Sequence, residues 1–309
     1  MTSPLKRIQE YPKESKRLIG IEYDQFLALV ELAKQRHIEK QIELEAQKIR
    51  INAKGAGRKA EMTVEEGVCL CLVYLRQKPI FEVLGLLFDI SKTNANDAFH
   101  YWIKIIREIL PASQMEEAED NEQAYEKLQQ KLTEHLLIVD SSEQRTARPV
   151  DYEEQKKLYS GKKKMHTLKN QFIVLPGGQD IVDVTVGELG KTSDISLFRQ
   201  SLPKFNNHQK FLGDKAYLGE PAIVTPQKKP KNGELTEEQK QENKKISTQR
   251  IGVEHLIGKI KIFRVAAERF RLVRHQYEQV IFAVCGLVRV RLGSVDLLTL
   301  KNGVPLEPI

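Results

Sequence analysis

Leu136-Leu137-Ile138-Val139-Asp140 is the stretch on which this chain's fold turns: a short apolar run, unlike the helical spacing before it, that stops on a carboxylate. Downstream come two strand-like runs, Thr167 to Leu175 and Ile181 to Val186, joined by Pro176-Gly177-Gly178. A helix is expected near Ile195 to Ser201. Phe211-Leu212-Gly213-Asp214 then repeats the first pattern, a strand ending in Asp. After a polar, Lys-rich stretch from 226 to 250, a long helix is expected from near Thr248, carrying Glu254. Strands followed by helices point to an α/β layer built on one mixed sheet.

Upstream the chain reads as all-helical. Residues 15 to 53 carry Tyr23, Phe26, Leu27, Val30 and Ala33 at helical spacing, and the two glycines of residues 53–62 signal a linker. Thr63 and Glu66 form a capping-box pattern that opens the next helix. Pro79 introduces another, ending near Phe88, and Ser91 caps a third running to about Ile109. Helix, three-residue turn, helix is the helix-turn-helix arrangement. Its second helix would present Lys92, Thr93, Asn94 and Asn96 to DNA, with Phe99 and Trp102 turned inward. An ordinary three-helix bundle has the same pattern, and Asp97, a carboxylate on the reading helix, favours it. Pro111 to Glu134 holds seven acids against two Lys and reads as an acidic helical linker.

At about 150 residues per domain, 309 residues make about two domains. An apolar share of 40 % with 29 % charged residues excludes a chain disordered throughout. Three cysteines, Cys69, Cys71 and Cys285, match neither a disulfide framework nor a zinc pattern, which points to a reducing compartment. The first twenty residues hold no apolar core of a signal peptide. The longest apolar run, about Val280 to Val288, is far short of the ~20 residues that cross a bilayer. A cytoplasmic, nucleoid-associated protein is expected. The helix from Gln279 to Leu292 is expected in the core rather than at an association surface. Net charge is +7, and two stretches concentrate it: Gln155 to Lys169 with six Lys and no acid, and Lys259 to Arg274 with six basic residues and one acid. Such runs suit a phosphate backbone or a solvated face.

Asp140 and Asp214 sit at or near strand ends, where α/β sheets place their sites. Glu254 falls within the stripe Ile251, Ile257, Ile260, Phe263, Ala267 and Phe270, so it is expected to face the sheet, partly desolvated, and to need a cation. Three converging carboxylates form a hard-oxygen site suited to Mg²⁺ or Mn²⁺. Each acid also has a plainer role: Asp140 and Asp214 as turn residues, Glu254 in an ion pair with Arg250 one turn earlier.

The segments VEEGVCLCLVYLRQKPIFEVLGLLFDIS, LLIVDSSEQ, YSGKKKMHTLKNQFIV, GDKAYLG, TPQKKPKNGEL and RIGVEHLIGKIKIFRVAAERFR stand colinearly over most of residues 60 to 275. In them the chain resembles bacterial insertion-sequence transposases of the DDE superfamily, in the branch related to Harbinger elements. The resemblance implies an RNase H-like catalytic domain, a mixed sheet flanked by helices, behind an all-α helix-turn-helix domain. Its boundaries would be 1–110 (helix-turn-helix about 60–110), linker 111–134, catalytic domain 135–292 and tail 293–309. It also implies that Asp140, Asp214 and Glu254 are catalytic and hold two Mg²⁺ ions, with Mn²⁺ substituting. The chain would bind element ends, cleave DNA and transfer the 3′-OH strand into target DNA, as a dimer or larger synaptic assembly. Alternatives are a silent DNA-binding regulator or a metal-dependent endonuclease without strand transfer. Lys162, Lys163, Lys164, Lys228, Lys229, Lys261 and Arg264 would hold phosphates. His166 is expected to be structural, and Tyr159 and Tyr217 to pack rather than flank DNA. Ser141-Ser142, Asp194 without a preceding His, and Asp89 in place of a Gly depart from the family pattern. Asp194 is a rival acid or the cap of the helix at Ile195.

Overall fold

The structure is a computed structural model and describes residues 2–47, 62–231, 233–297 and 300. The Gly-containing segment 53–62, apart from Met62, the end of the helix expected to reach residue 53, and most of the tail 293–309 lie outside the described residues. Two compact units are present. One holds residues up to Leu110 with Phe263–Val265 and a stretch from Val295; the other holds Pro111–Ile262 and Ala266–Ser294.

The first unit is helical: α1 (Pro4–Glu10), α2 (Ser15–Leu18), α3 (Tyr23–Gln47), α4 (Val64–Gln77), α5 (Phe81–Phe88) and α6 (Lys92–Ile109). The single helix expected from residue 15 is broken after α2. Gly20 stands there at φ +92°, and a Cβ on it would fall 2.5 Å from the Phe263 ring. α3 buries Phe26, Leu29, Val30, Leu32 and Ala33, whereas Leu27 is exposed. The capping box that opens α4 forms as expected: Thr63 N–H donates to Glu66 Oε2 at 2.9 Å, and Glu66 N–H to Thr63 Oγ1 at 3.2 Å. α5 ends in Asp89 at φ +55°, and Ser91 caps α6 by accepting from Asn94 N–H at 3.1 Å. Phe99 and Trp102 are buried, and Tyr74 packs between Phe81 and Phe99 at centroid distances of 4.9 and 4.3 Å.

The second unit contains α7 (Gln114–Ala118), α8 (Glu122–Leu132), β1 (Leu136–Arg145), α9 (Tyr152–Leu158), β2 (Tyr159–Ser160), β3 (Met165–Val174), β4 (Ile181–Leu189), α10 (Asp194–Ser201), β5 (Lys210–Leu212), β6 (Ile223–Val224), α11 (Glu237–Lys261) and α13 (Tyr277–Leu292). Between the last two lies the single turn α12 (Arg264–Ala267). β3 pairs antiparallel with β1 and with β4, while β5 joins β1, and β6 joins β5, in parallel. The order β4-β3-β1-β5-β6, three antiparallel strands and then two short parallel ones, is the RNase H-like arrangement. β2 is a two-residue addition beside the start of β3.

Leu137 and Val139 point from β1 into a core shared with Phe198, Phe211, Tyr217 and Ile223. Met115, Leu128 and Leu132 join that core, so the acidic segment 111–134 packs as part of this unit. Its acids lie on the outward sides of two short amphipathic helices, and that surplus of surface charge gave it the look of a linker. α11 packs on β1 and on the turn 176–178. It begins eleven residues before the expected Thr248, behind a second capping box between Thr236 and Gln239. α13 is buried along nearly its whole length, in keeping with its expected place in the core. Among the described residues no helix is long and apolar enough to cross a membrane.

Candidate active site

The parallel register of β1 and β5 brings the two aspartates together. Ile138 lies opposite Leu212, so Asp140 and Asp214, each two residues further on, stand at the same level of neighbouring strands. Asp214 follows the end of β5, whereas β1 does not stop at Asp140 as the apolar run suggested but continues through polar residues to Arg145, with Asp140 opposite Phe172 of β3. With a side-chain period of two, both share the face of Ile138 and Leu212, opposite the face that Leu137 and Val139 bury. Asp214 Oδ1 also accepts the Ala216 N–H at 2.7 Å, which caps the short 3₁₀ turn Lys215–Tyr217. The plainer role of a turn residue is therefore real and coexists with its place in the site.

Asp140 is half-buried, and its Oδ1 accepts the Ser141 N–H at 2.8 Å. Burial raises its carboxyl pKa. The Ser141 amide and the Arg250 guanidinium pull it back, while the charges of Asp214 and Asp194 push it up again, and the net shift is upward. A second carboxylate close enough to disfavour the charge on the first is a hard-oxygen pair that fits a divalent cation. Asp194 is already engaged: Lys169, itself buried, donates to its Oδ1 at 2.8 Å. Ser193, not Asp194, is the N-cap of α10.

Glu254 does not take the place expected of it. It is exposed, because α11 buries Gly252, Val253, Leu256, Ile257 and Ile260 and leaves Ile251 43 % exposed. The helix is thus rotated from the stripe read off the isoleucines. Among the described residues no three acidic, His or Cys side chains gather into a group able to hold a metal. Nor is Arg250 the partner of Glu254. Its Nη2 stands 3.6 Å from Asp140 Oδ2, and its Nε is buried without a hydrogen-bond partner among the described residues. Lys261 is electrostatically coupled to Asp140 as well. It is exposed as a residue, but desolvation of its ammonium and the charge of Lys163 lower its pKa against the pull of Asp140. Positions 250, 254 and 261 follow one helix face, so Glu254 stands between two cations that both sense Asp140. Asp140 and Asp214 thus fit a divalent cation. Glu254 is on the facing side of α11 but outside their cluster.

Tyr217 is buried, as expected of a packing residue, and its hydroxyl lies 3.0 Å from Ser141 Oγ and accepts from Gln171 Nε2 at 3.1 Å. This chain of hydrogen bonds braces the residue beside Asp140. Tyr159 departs from expectation: it is 42 % exposed, its ring edge-on to His166 at 5.7 Å. Lys162, Lys163 and Lys164 are exposed in the β2–β3 turn, and Lys228 and Lys229 are exposed beyond β6. Arg264 is exposed and belongs to the segment that groups with the helical unit. In that unit Lys92 and Thr93 are exposed at the start of α6. Lys92 is ion-paired to Glu82, and Asn96 Nδ2 donates to Asp97 at 3.3 Å.

Residues 139–289 match the family model described as DDE superfamily endonuclease, and residues 60–112 match that of the helix-turn-helix of DDE superfamily endonucleases. A curated relative, the probable transposase for insertion sequence element IS702 of Microchaete diplosiphon, is 29 % identical over 263 residues, or 84 % of this chain and 87 % of the relative. Two solved structures are also similar: a pre-cleavage Mos1 transpososome (10 % identity, 74 % of this chain and 86 % of that one, TM-score 0.20) and a Mos1 transposase paired-end complex with the left transposon end (11 %, 76 % and 88 %, TM-score 0.19). The strand order, not these two likenesses, identifies the fold.

Proposed function

Because the chain belongs to the DDE superfamily of endonucleases, as a transposase of insertion-sequence type with an N-terminal helix-turn-helix, we propose that it cuts and rejoins DNA at the ends of a mobile element. Asp140 and Asp214, at the same level of the neighbouring strands β1 and β5 and repelling each other, are the observation that carries this reading. They would hold divalent cations, Mg²⁺ or Mn²⁺, and Glu254, exposed on the α11 face that carries Arg250, would complete the set. Bound ions of this kind lower the pKa of water and offset charge on the attacking and leaving oxygens.

The residues of this chain orient the DNA. Lys162, Lys163, Lys164 and Lys261 would hold phosphates beside the aspartates, with Lys228 and Lys229 further along; Arg264 is a further candidate phosphate ligand. Thr93, Asn94 and Asn96, with Lys92, would read element ends from α6. In the first step water attacks phosphorus and the P–O3′ bond breaks, leaving a 3′-OH and a 5′-phosphate. In the second the freed 3′-OH attacks a phosphate of target DNA, displacing another 3′ oxygen. Joining two ends requires two such sites, so a dimer is expected on DNA.

Cleavage of end-containing DNA by the wild type and Asp214→Asn, with Mg²⁺ or Mn²⁺ against EDTA, tests the reading. Cutting should need metal and vanish in the variant while DNA binding persists. Joined products separate strand transfer from hydrolysis alone. Binding without cutting by either protein, on verified ends, would instead support a DNA-binding regulator.

A further inference from the structure

A second site lies on the same unit, at the β2–β3 turn. A cavity of about 280 Å³ is lined by Arg145, Arg148, Lys164 and Arg269, with Tyr159 and His166. It adjoins a more open one of about 430 Å³ that shares Arg148, Tyr159 and His166 and adds Lys156. Four cations around one small cavity select an anion. The exposed Tyr159 ring adds what a bare anion site lacks, a flat apolar face at its wall. A duplex backbone runs over open surface, whereas this is a recess near the lower end of the about 300–1,000 Å³ range of small-ligand pockets.

The site is also built rather than incidental. Arg148 Nε donates to Gln155 Oε1 at 3.0 Å, and Gln155 Nε2 in turn donates to the carbonyls of Pro149 and Val150 at 3.0 and 3.3 Å, so the guanidinium is aimed before any ligand arrives. The turn that carries Lys164 is closed by its own N–H on the Ser160 carbonyl at 2.8 Å and by Lys163 N–H on Ser160 Oγ at 3.1 Å. Tyr159 pairs with His166 across β2 and β3, which fixes the ring at the cavity mouth.

We propose that this pocket takes one unpaired nucleotide of DNA, its base against Tyr159 and its phosphate on Arg148 and the neighbouring cations. The proposal rests on the DNA-processing reading above and adds to it a subsite for a base outside the duplex, where stacking on an aromatic ring tolerates any base. Such a nucleotide arises wherever a strand end frays or is displaced during cutting and joining.

The test uses the full chain and DNA ending in a single-stranded overhang whose terminal base is 5-iododeoxyuridine. Irradiation should cross-link the base within residues 145–166, at Tyr159 or His166, as mapped by mass spectrometry. Tyr159→Ala should abolish that cross-link and weaken binding of a short single-stranded oligonucleotide by roughly ten-fold or more. Tyr159→Trp should restore both, and Arg148→Gln should lower the salt dependence of binding by about one phosphate contact. Cross-links confined to other segments, or oligonucleotide affinity unchanged in Tyr159→Ala, would overturn the proposal. So would equal competition by inorganic phosphate and a nucleoside monophosphate, which would leave an anion pocket with no place for a base. Blunt duplex cleavage, run in parallel, keeps the two readings apart: a failed cross-link with intact metal-dependent cutting removes only the pocket.

Discussion

Arg289→Met should be among the most damaging single substitutions in the second unit. Arg289 is 1 % exposed, and its Nε and Nη2 donate to the two oxygens of Asp180 at 2.9 and 3.0 Å. Nη2 also donates to Glu117 at 2.7 Å, and Nη1 to the carbonyls of Pro111 and Ser113, both at 3.1 Å. Burial alone would lower the guanidinium pKa; Asp180 and Glu117 outweigh it and raise it, so the group is charged at any working pH. Methionine preserves the apolar stem but leaves Asp180 in the core with the Ile181 N–H and Gln114 Nε2, and no cation. Removing one partner of a buried pair costs about 3–5 kcal/mol. At about 2–4 °C per kcal/mol for a unit of this size, the melting temperature should fall by roughly 6–20 °C. Calorimetry of the full chain reads the shift. Limited proteolysis adds a local readout, because Arg289 fastens the start of the 111–134 segment and cleavage there should accelerate. An unmoved melting temperature would refute both the energetic reasoning and the assignment of that segment to the second unit.

Arg250→Gln removes a positive charge 3.6 Å from an Asp140 oxygen, where a cation would compete with it, so Mn²⁺ affinity measured by calorimetry without DNA should rise several-fold; weaker binding would oppose this. The raised pKa of Asp140 has a defined sign: the folded chain keeps that proton to higher pH than the unfolded one. In EDTA its contribution to stability is therefore lost as pH rises from about 4 to the shifted value, and melting curves of Asp140→Asn should lack that decline. Asp89→Gly relieves a left-handed backbone at the end of α5 and should stabilise the helical unit by about 1 kcal/mol, read from its denaturation midpoint.

How far each element was legible depended on whether its signal was local. The apolar starts of β1 and β5 were, because such a run ending in a carboxylate stands out from helical spacing, and parallel register then joins Asp140 to Asp214. The second half of β1, Ser141 to Arg145, was not, because its residues are all polar. The caps at Thr63 and Ser91 were equally local. Nearly half of α11, the eleven residues before Thr248, was missed because its Glu, Gln and Lys face solvent and leave no apolar stripe, although Thr236 and Gln239 carried the same capping signal as Thr63 and Glu66. Ile251 misled for the opposite reason: a β-branched apolar residue counted as core is exposed, which shifted the inferred face and with it Glu254. The Arg250–Asp140 pair and the Arg145–Arg148–Arg269 pocket are tertiary, made by residues up to 124 apart in number, and no local pattern encodes them.

What sets the face of α11 is a glycine contact, and this yields the sharpest test of the site's design. Gly178 stands at φ +68° with the Gly252 carbonyl directly over it, so a Cβ there would fall 2.2 Å from that oxygen. A Cβ on Gly252 would fall 2.5 Å from the Gly177 carbonyl carbon. Both obstacles are backbone and cannot swing aside, so Gly252→Ala must move the helix off the turn, at a cost of about 1–3 kcal/mol. Arg250 is two residues away on that helix and moves with it. If the glycine contact positions Arg250, Gly252→Ala alone should raise Mn²⁺ affinity, and adding Arg250→Gln should then change it little. Strict additivity of the two substitutions would mean that Arg250 finds Asp140 without the glycine contact, and that the contact serves packing alone.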